Sequence, residues 1–74
     1  MYYFEWDENK NQRNQRKHGI SFQEAKSCFY DPQQFAFYDP DHSDDEDREV
    51  LLGHSNEGKL LLVISAIHGN MIRI

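Results

Sequence analysis

Apolar side chains arrive along this chain in separated blocks, and the gaps are as informative as the blocks. In the first block, Tyr2, Phe4 and Trp6 alternate with Tyr3, Glu5 and Asp7, the pattern of a half-buried strand. Twelve residues without one apolar side chain follow, Asp7 to His18. Asp7 suits an N-cap, residues 8–18 are mostly helix formers, and Gly19 stands where helices end in the left-handed conformation. The pattern predicts a helix that is polar on every side. Such a helix has no apolar stripe to bury and must lean on the stems of its long side chains.

Ser21-Phe22-Gln23-Glu24 reads as a capping box, and Phe22, Ala25 and Phe29 then fall on one helical face with Cys28 beside them. Asp31-Pro32 ends that second helix, because the residue before proline avoids helical geometry. Phe35 to Tyr38 reads as a strand broken by Asp39-Pro40, and residues 41–47 as a solvated acidic loop. Residues 48–55 and 59–67 form a hairpin around Asn56-Glu57-Gly58. Leu60 to Ile64 is apolar at every position, which predicts a strand covered on both faces or paired centrally. His68-Gly69-Asn70 makes a further turn, and Met71 to Ile74 a last strand. The order β-α-α-β-β-β-β predicts an α+β fold over residues 1–74, a small antiparallel sheet with two N-terminal helices packed on one side.

Length and charge narrow this picture. A 74-residue chain supplies a core of only about 3–5 kcal/mol, although ten aromatic rings help. One cysteine excludes an internal disulfide and fits a reducing compartment. Met1-Tyr2-Tyr3 opens no signal peptide, and Leu60 to Ile64 is too short to span a membrane, so a cytoplasmic protein is expected. The net charge of −5 argues against nucleic-acid binding by bulk charge. Its distribution does not. Lys10, Arg13, Arg16 and Lys17 place half of the eight basic residues within eight positions, and seven of thirteen acids fall between Asp39 and Glu49. A molecule so polarised can bind an anion on one side and a basic partner on the other.

Metal chemistry is poorly supported. Asp39, Asp41, Ser43, Asp45 and Asp47 match alternate positions of a calcium loop, but Asp44 replaces its glycine and Val50 its bidentate glutamate. The histidines His18, His42, His54 and His68 and the lone Cys28 lack zinc-ligand spacing, so no metal or other cofactor is expected. Lys10, Arg13 and Lys17 lie on one helical face with Arg16 adjoining, either as a solvated surface or as contacts to phosphates. Asn9, Asn11, Asn14 and Gln15 add groups suited to sugar or base edges. His18 can exchange a proton near neutral pH, or simply sit well at a helix C-terminus. Arg48 and Arg73 could meet developing phosphate charge, and Arg48 could equally pair with Asp47 or Glu49.

Phe4-Glu5-Trp6-Asp7, the polar helix, Lys17-His18-Gly19-Ile20-Ser21-Phe22 with Glu24-Ala25, and Phe29-Tyr30-Asp31-Pro32 together resemble the BrnT family. So do Asp39-Pro40-Asp41-His42-Ser43, Glu46-Asp47-Arg48 and Ile72-Arg73-Ile74. The resemblance implies a RelE-like fold and a metal-independent endoribonuclease toxin of a type II toxin–antitoxin system, neutralised by a BrnA-type antitoxin. It implies His18 as general acid/base, Arg48 and Arg73 as transition-state cations, and Lys10, Arg13, Arg16 and Lys17 as RNA contacts. Family members continue past the Ile72-Arg73-Ile74 position with a strand completion and a basic helix, and carry a basic residue where His68 stands. The chain ends at Ile74. The expectation is a sheet cut off mid-strand, whose unpaired edge would let chains self-associate. The alternative to an enzyme is an inactive module that keeps the antitoxin-facing surface.

Overall fold

A computed structural model describes residues 2–39 and 47–74. The strands are β1 (Tyr3–Glu5), β2 (Phe35–Tyr38), β3 (Asp47–His54), β4 (Leu60–His68) and β5 (Met71–Arg73). The helices are α1 (Glu8–His18) and α2 (Phe22–Ser27), the latter running into a 3-10 turn at Cys28–Tyr30. The acidic loop and the calcium-like pattern fall largely on residues 40–46, outside the described residues. The strands form one sheet in the order β1-β5-β4-β3-β2 with the helices on one face, the α+β arrangement expected. Three pairings are antiparallel, and β1 joins β5 in parallel after the whole of the intervening chain has crossed over.

One expectation about the sheet changes. The last strand is not an edge: β5 lies between β1 and β4, and Ile74 prolongs its contact with β1 by donating its N–H to the Glu5 carbonyl at 3.1 Å. The edges are β1 and β2. The apolar run of β4 is paired centrally, one of its two expected placements, and is covered on only one face. Leu61 and Val63 point to the helices, whereas Leu60 and Leu62 are 59% and 62% exposed. An uninterrupted apolar run reads like a doubly covered strand, but here half of it lies in the open.

The core is small. Leu51 of β3 and Val63 of β4 are register partners and pack with Ala25 and Cys28, with Phe29, Leu61 and Ile74 around them. Phe4 meets Phe29 edge-on at 5.1 Å, and Trp6 meets Phe22 at 6.3 Å, so the alternating aromatics of β1 tie it to α2 and its turn. Cys28 is fully buried. Burial, then the charges of Glu24 and Asp31, push its thiol pKa up, which keeps it a small apolar residue rather than a nucleophile. Gly53 lies under it. A Cβ there would come 3.0 Å from the Cys28 carbonyl oxygen, a tight contact that would make the 3-10 turn give way slightly.

What seats α1 is the main surprise of the fold. The helix does not rest on aliphatic stems; it is anchored by Asn11, which is only 1% exposed. The Asn11 Oδ1 accepts the Phe22 main-chain N–H at 2.7 Å, and its Nδ2 donates to the Glu8 carboxylate at 3.2 Å and to Gln23 at 3.4 Å. Asn14 Nδ2 donates to the Ile20 carbonyl at 2.8 Å. One turn and a half of α1 is thus bonded to the start of α2. Asn11 is therefore not available for RNA, as its polarity had suggested. Gly19, at φ 71°, closes α1 through its N–H to the Gln15 carbonyl.

The start of α2 shows a related economy. Ser21 Oγ accepts the Glu24 N–H at 3.0 Å, half of the expected capping box. The other half is diverted, because the Glu24 carboxylate accepts from Ser55 Oγ at 2.8 Å and so binds the β3–β4 turn to α2. Asp31 does the same on the other side. Its carboxylate accepts the His54 N–H at 2.7 Å and the Gln33 N–H at 2.9 Å, with His54 Nδ1 at 3.1 Å. Those two N–H groups, His54 first, hold the Asp31 pKa below the ordinary carboxylate range. Its stabilising contribution is fully present above the unfolded-chain pKa of about 4 and is lost as pH falls through the lower folded value. Melting curves from neutral to strongly acid pH should therefore show Asp31→Asn well below the wild type at pH 7 and converging on it below about pH 4.

Candidate functional site

At about 100° per residue, the eleven residues of α1 sort into two stripes. Asn11, Asn14 and His18 share the stripe turned towards α2 and the sheet. Lys10, Arg13 and Lys17 share the adjoining stripe with Arg16 beside it, and all four are exposed. The cationic row is therefore intact, held outward because the asparagines take the inner positions.

His18 also lines an open cleft of about 440 Å³. Its walls are Asn14 and His18 of α1, Ile20, Phe22 and Ala25, the segment Leu60–Ile64 of β4, and Ile74. The cleft lies on the helical side of the sheet and is mainly apolar.

Arg48 and Arg73 lie on the opposite face. Register fixes this: Arg48 pairs with Ala66, and Ala66 pairs with Arg73, so the two arginines flank one alanine in a single row. Adjacent strands are about 4.8 Å apart, which puts their Cα atoms about 10 Å apart with both side chains rising from the helix-free face. Arg73 approaches the Glu5 carboxylate at 3.7 Å, with both side chains about half exposed. An exposed pair of this kind contributes about 0–1 kcal/mol. His68, paired with Met71, projects from the same face one row further along β4. The structure thus brings Arg48 and Arg73 together, adds His68, and leaves His18 across the sheet from them.

Beyond the arginines the open face is apolar. Phe35 and Phe37 of β2 stand with ring centroids 6.0 Å apart, next to exposed Leu52, Leu62 and Ile64. Sequence reasoning missed this face because every residue in it suits a core equally well. The one readable signal was the register itself, since Arg48, Ala66 and Arg73 fall into one row only when β5 pairs with the end of β4. Among the described residues no group of three or more His, Cys, Asp or Glu side chains could hold a metal ion. Among the described residues no helix is long and apolar enough to cross a membrane.

The described chain is a two-helix α+β domain with two arginines in one row on the helix-free face of its sheet. A family model described as "Ribonuclease toxin, BrnT, of type II toxin-antitoxin system" matches residues 6–74. The chain belongs to this BrnT family of ribonuclease toxins, whose members act on RNA and are paired with an antitoxin. None of the curated proteins matches the chain closely.

Proposed function

We propose that the chain is a metal-independent endoribonuclease whose chemistry takes place on the helix-free face of the sheet, and that a BrnA-type antitoxin neutralises it. The observation that carries this reading is the row Arg48–Ala66–Arg73. Cleavage begins when a ribose 2′-hydroxyl attacks the adjacent phosphorus and gives up its proton to water; the pentavalent phosphate then carries extra negative charge, and as the P–O5′ bond breaks the leaving 5′-oxygen needs a proton. Two guanidinium groups aimed at one phosphate stabilise the first, and a histidine supplies the second. His68 shares the arginines' face and takes the acid/base role; His18, assigned it from sequence, lies on the helical side. Phe35 and Phe37 offer flat apolar surface on which unpaired bases can stack.

Lys10, Arg13, Arg16 and Lys17 serve as sequence-independent backbone contacts for the flanking RNA. Replacing Lys10, Arg13 and Lys17 together by alanine should lower the slope of log affinity against log salt by about 2, at about 0.7 per lost phosphate contact. A filter-binding series over salt concentration checks it.

Incubation with a short single-stranded RNA in EDTA tests the reaction. Cleavage that leaves 2′,3′-cyclic phosphate ends is expected. A strict requirement for added divalent cation, or products ending in 5′-phosphate, would overturn the mechanism. Binding of the RNA without any cleavage would favour the inactive module.

A further inference from the structure

The row that carries the two arginines has a carboxylate beyond each end. Glu5 pairs with Arg73, so the order across the helix-free face is Glu5, Arg73, Ala66, Arg48. The Asp39 N–H meets the Arg48 carbonyl at 3.0 Å, which sets Asp39 beyond Arg48. Among the described residues no other carboxylate stands in the strand rows of this face. Two main-chain bonds hold β1 in this register. The Tyr3 N–H donates to the Asn70 carbonyl at 2.9 Å, and the Ile74 N–H to the Glu5 carbonyl at 3.1 Å. Glu5 Oε1 lies 3.7 Å from Arg73 Nη1, and its side chain is 44% exposed, open to a molecule bound on the face.

We propose that Glu5 is the general base of the cleavage, taking the proton of the attacking 2′-hydroxyl in place of water. The inference rests on the proposed reaction at the Arg48–Arg73 row. The Arg73 guanidinium is a planar fork of N–H donors, so one edge can meet Glu5 while another holds the phosphate. The Glu5 carboxylate then lies beside the ribose whose 2′-oxygen attacks phosphorus from about 3–3.5 Å. In-line attack needs the base and the acid on opposite sides of the phosphorus. Sheet order supplies this, because Glu5 on β1 and His68 on β4 flank β5, the strand of Arg73. The 2′-O–H bond breaks to Glu5 as the bond from the 2′-oxygen to phosphorus forms. The P–O5′ bond then breaks, and the 5′-oxygen takes a proton from the His68 imidazolium. The products are a 2′,3′-cyclic phosphate and a 5′-hydroxyl, and proton exchange with water resets both side chains. Charge decides between the two carboxylates. Seven acids fall between Asp39 and Glu49 and repel a phosphate, whereas the sequence neighbours of Glu5 are Phe4 and Trp6.

Kinetics in EDTA with two short RNAs test this, one native and one with sulfur in place of the bridging 5′-oxygen. A thiolate leaves without a proton, so the second substrate needs a base but no acid. Glu5→Gln keeps the side chain's shape and loses the proton acceptor. It should lower kcat on both substrates by about 10²-fold or more, with KM within a few-fold and a melting temperature within about 5 °C of wild type. His68→Ala should recover to within a few-fold of wild type on the sulfur substrate. A Glu5 that only orients Arg73 would cost nothing further once that guanidinium is gone. As the base, its replacement by glutamine should still cost at least about tenfold in the Arg73→Ala protein on the sulfur substrate. Cleavage by Glu5→Gln at the wild-type rate, or a loss that vanishes beside Arg73→Ala, would overturn the inference and leave the proposed reaction standing. So would a loss that appears in Asp39→Asn instead, or one that the sulfur substrate relieves in Glu5→Gln. A wild type that cleaves neither RNA would remove the proposed reaction and this inference together.

Discussion

The Arg48→Ala/Arg73→Ala double variant should keep its fold and lose RNA cleavage by about 10²–10³-fold, the effect of removing preorganised charge from a developing oxyanion. Both residues project from the helix-free face, where Arg73 has a weak, exposed ion pair with Glu5 and where the core of Leu51, Val63, Ala25 and Cys28 is not involved. The thermal transition should therefore move by no more than surface substitutions usually cause, about 0.5 kcal/mol. Each single variant should lose less than the pair, but the losses need not add, because two cations on one phosphate act as a unit. Lysine at either position keeps the charge and loses the planar fork, so Arg48→Lys and Arg73→Lys should fall between alanine and wild type. Initial rates on one short RNA, set beside melting curves of the same preparations, check the set.

Asn11→Ala should have the largest effect on stability, about 2–3 kcal/mol, in a residue that looks like solvated helix surface from sequence. It removes the acceptor of the Phe22 N–H and the donor to Glu8 and Gln23 from a site that is 1% exposed. The buried N–H is left unpaired, and α1 has no apolar stripe to hold it in its place. For a chain of this size the loss corresponds to a melting temperature lower by about 10–20 °C. Asn11→Asp separates the two halves of the role. It keeps the acceptor for Phe22 and sets a second carboxylate against Glu8, so its melting temperature should fall between those of alanine and asparagine at neutral pH. Circular dichroism melts of the three proteins decide it.

Asn11 also marks what could be read from the sequence. The elements were legible because their signals are local: Asp7 and Ser21 as caps, Gly19 as a stop, the alternation of β1, the Asn56-Glu57-Gly58 turn. Each depends on a few neighbouring residues, and each is found where the spacing placed it. Asn11 was misread because its role is set by a partner eleven positions away, and a polar side chain on a polar helix carries no mark of burial. The exposure of Leu60, Leu62 and Ile64 was not legible for the complementary reason. Apolar residues in a strand signal that a face is available for burial, without saying whether this chain buries it.

The candidate site was partly legible in the same sense. Arg48 and Arg73 stood out as cations leading into and lying within strands, and strand alternation gives each a face. That both share one face required the register, which depends on where β5 pairs along β4. His18 and the α1 cations were conspicuous because they are close together in sequence, yet closeness along a helix does not decide which side of the sheet they serve. His68 was conspicuous only as a turn residue standing where family members carry a basic one. The parallel pairing of β1 with β5 was not legible at all, since it joins the two ends of the described chain and no local pattern announces it.

The measurement that bears most directly on the assignment of the active face is RNA cleavage by His68→Ala and His18→Ala, side by side. With the chemistry on the helix-free face, His68→Ala should lose about 10²-fold or more of the rate and flatten its pH profile near neutrality. His18→Ala should stay within a few-fold of wild type. Loss of cleavage in His18→Ala with full activity in His68→Ala would contradict this assignment and move the reaction to the cleft beneath the helices.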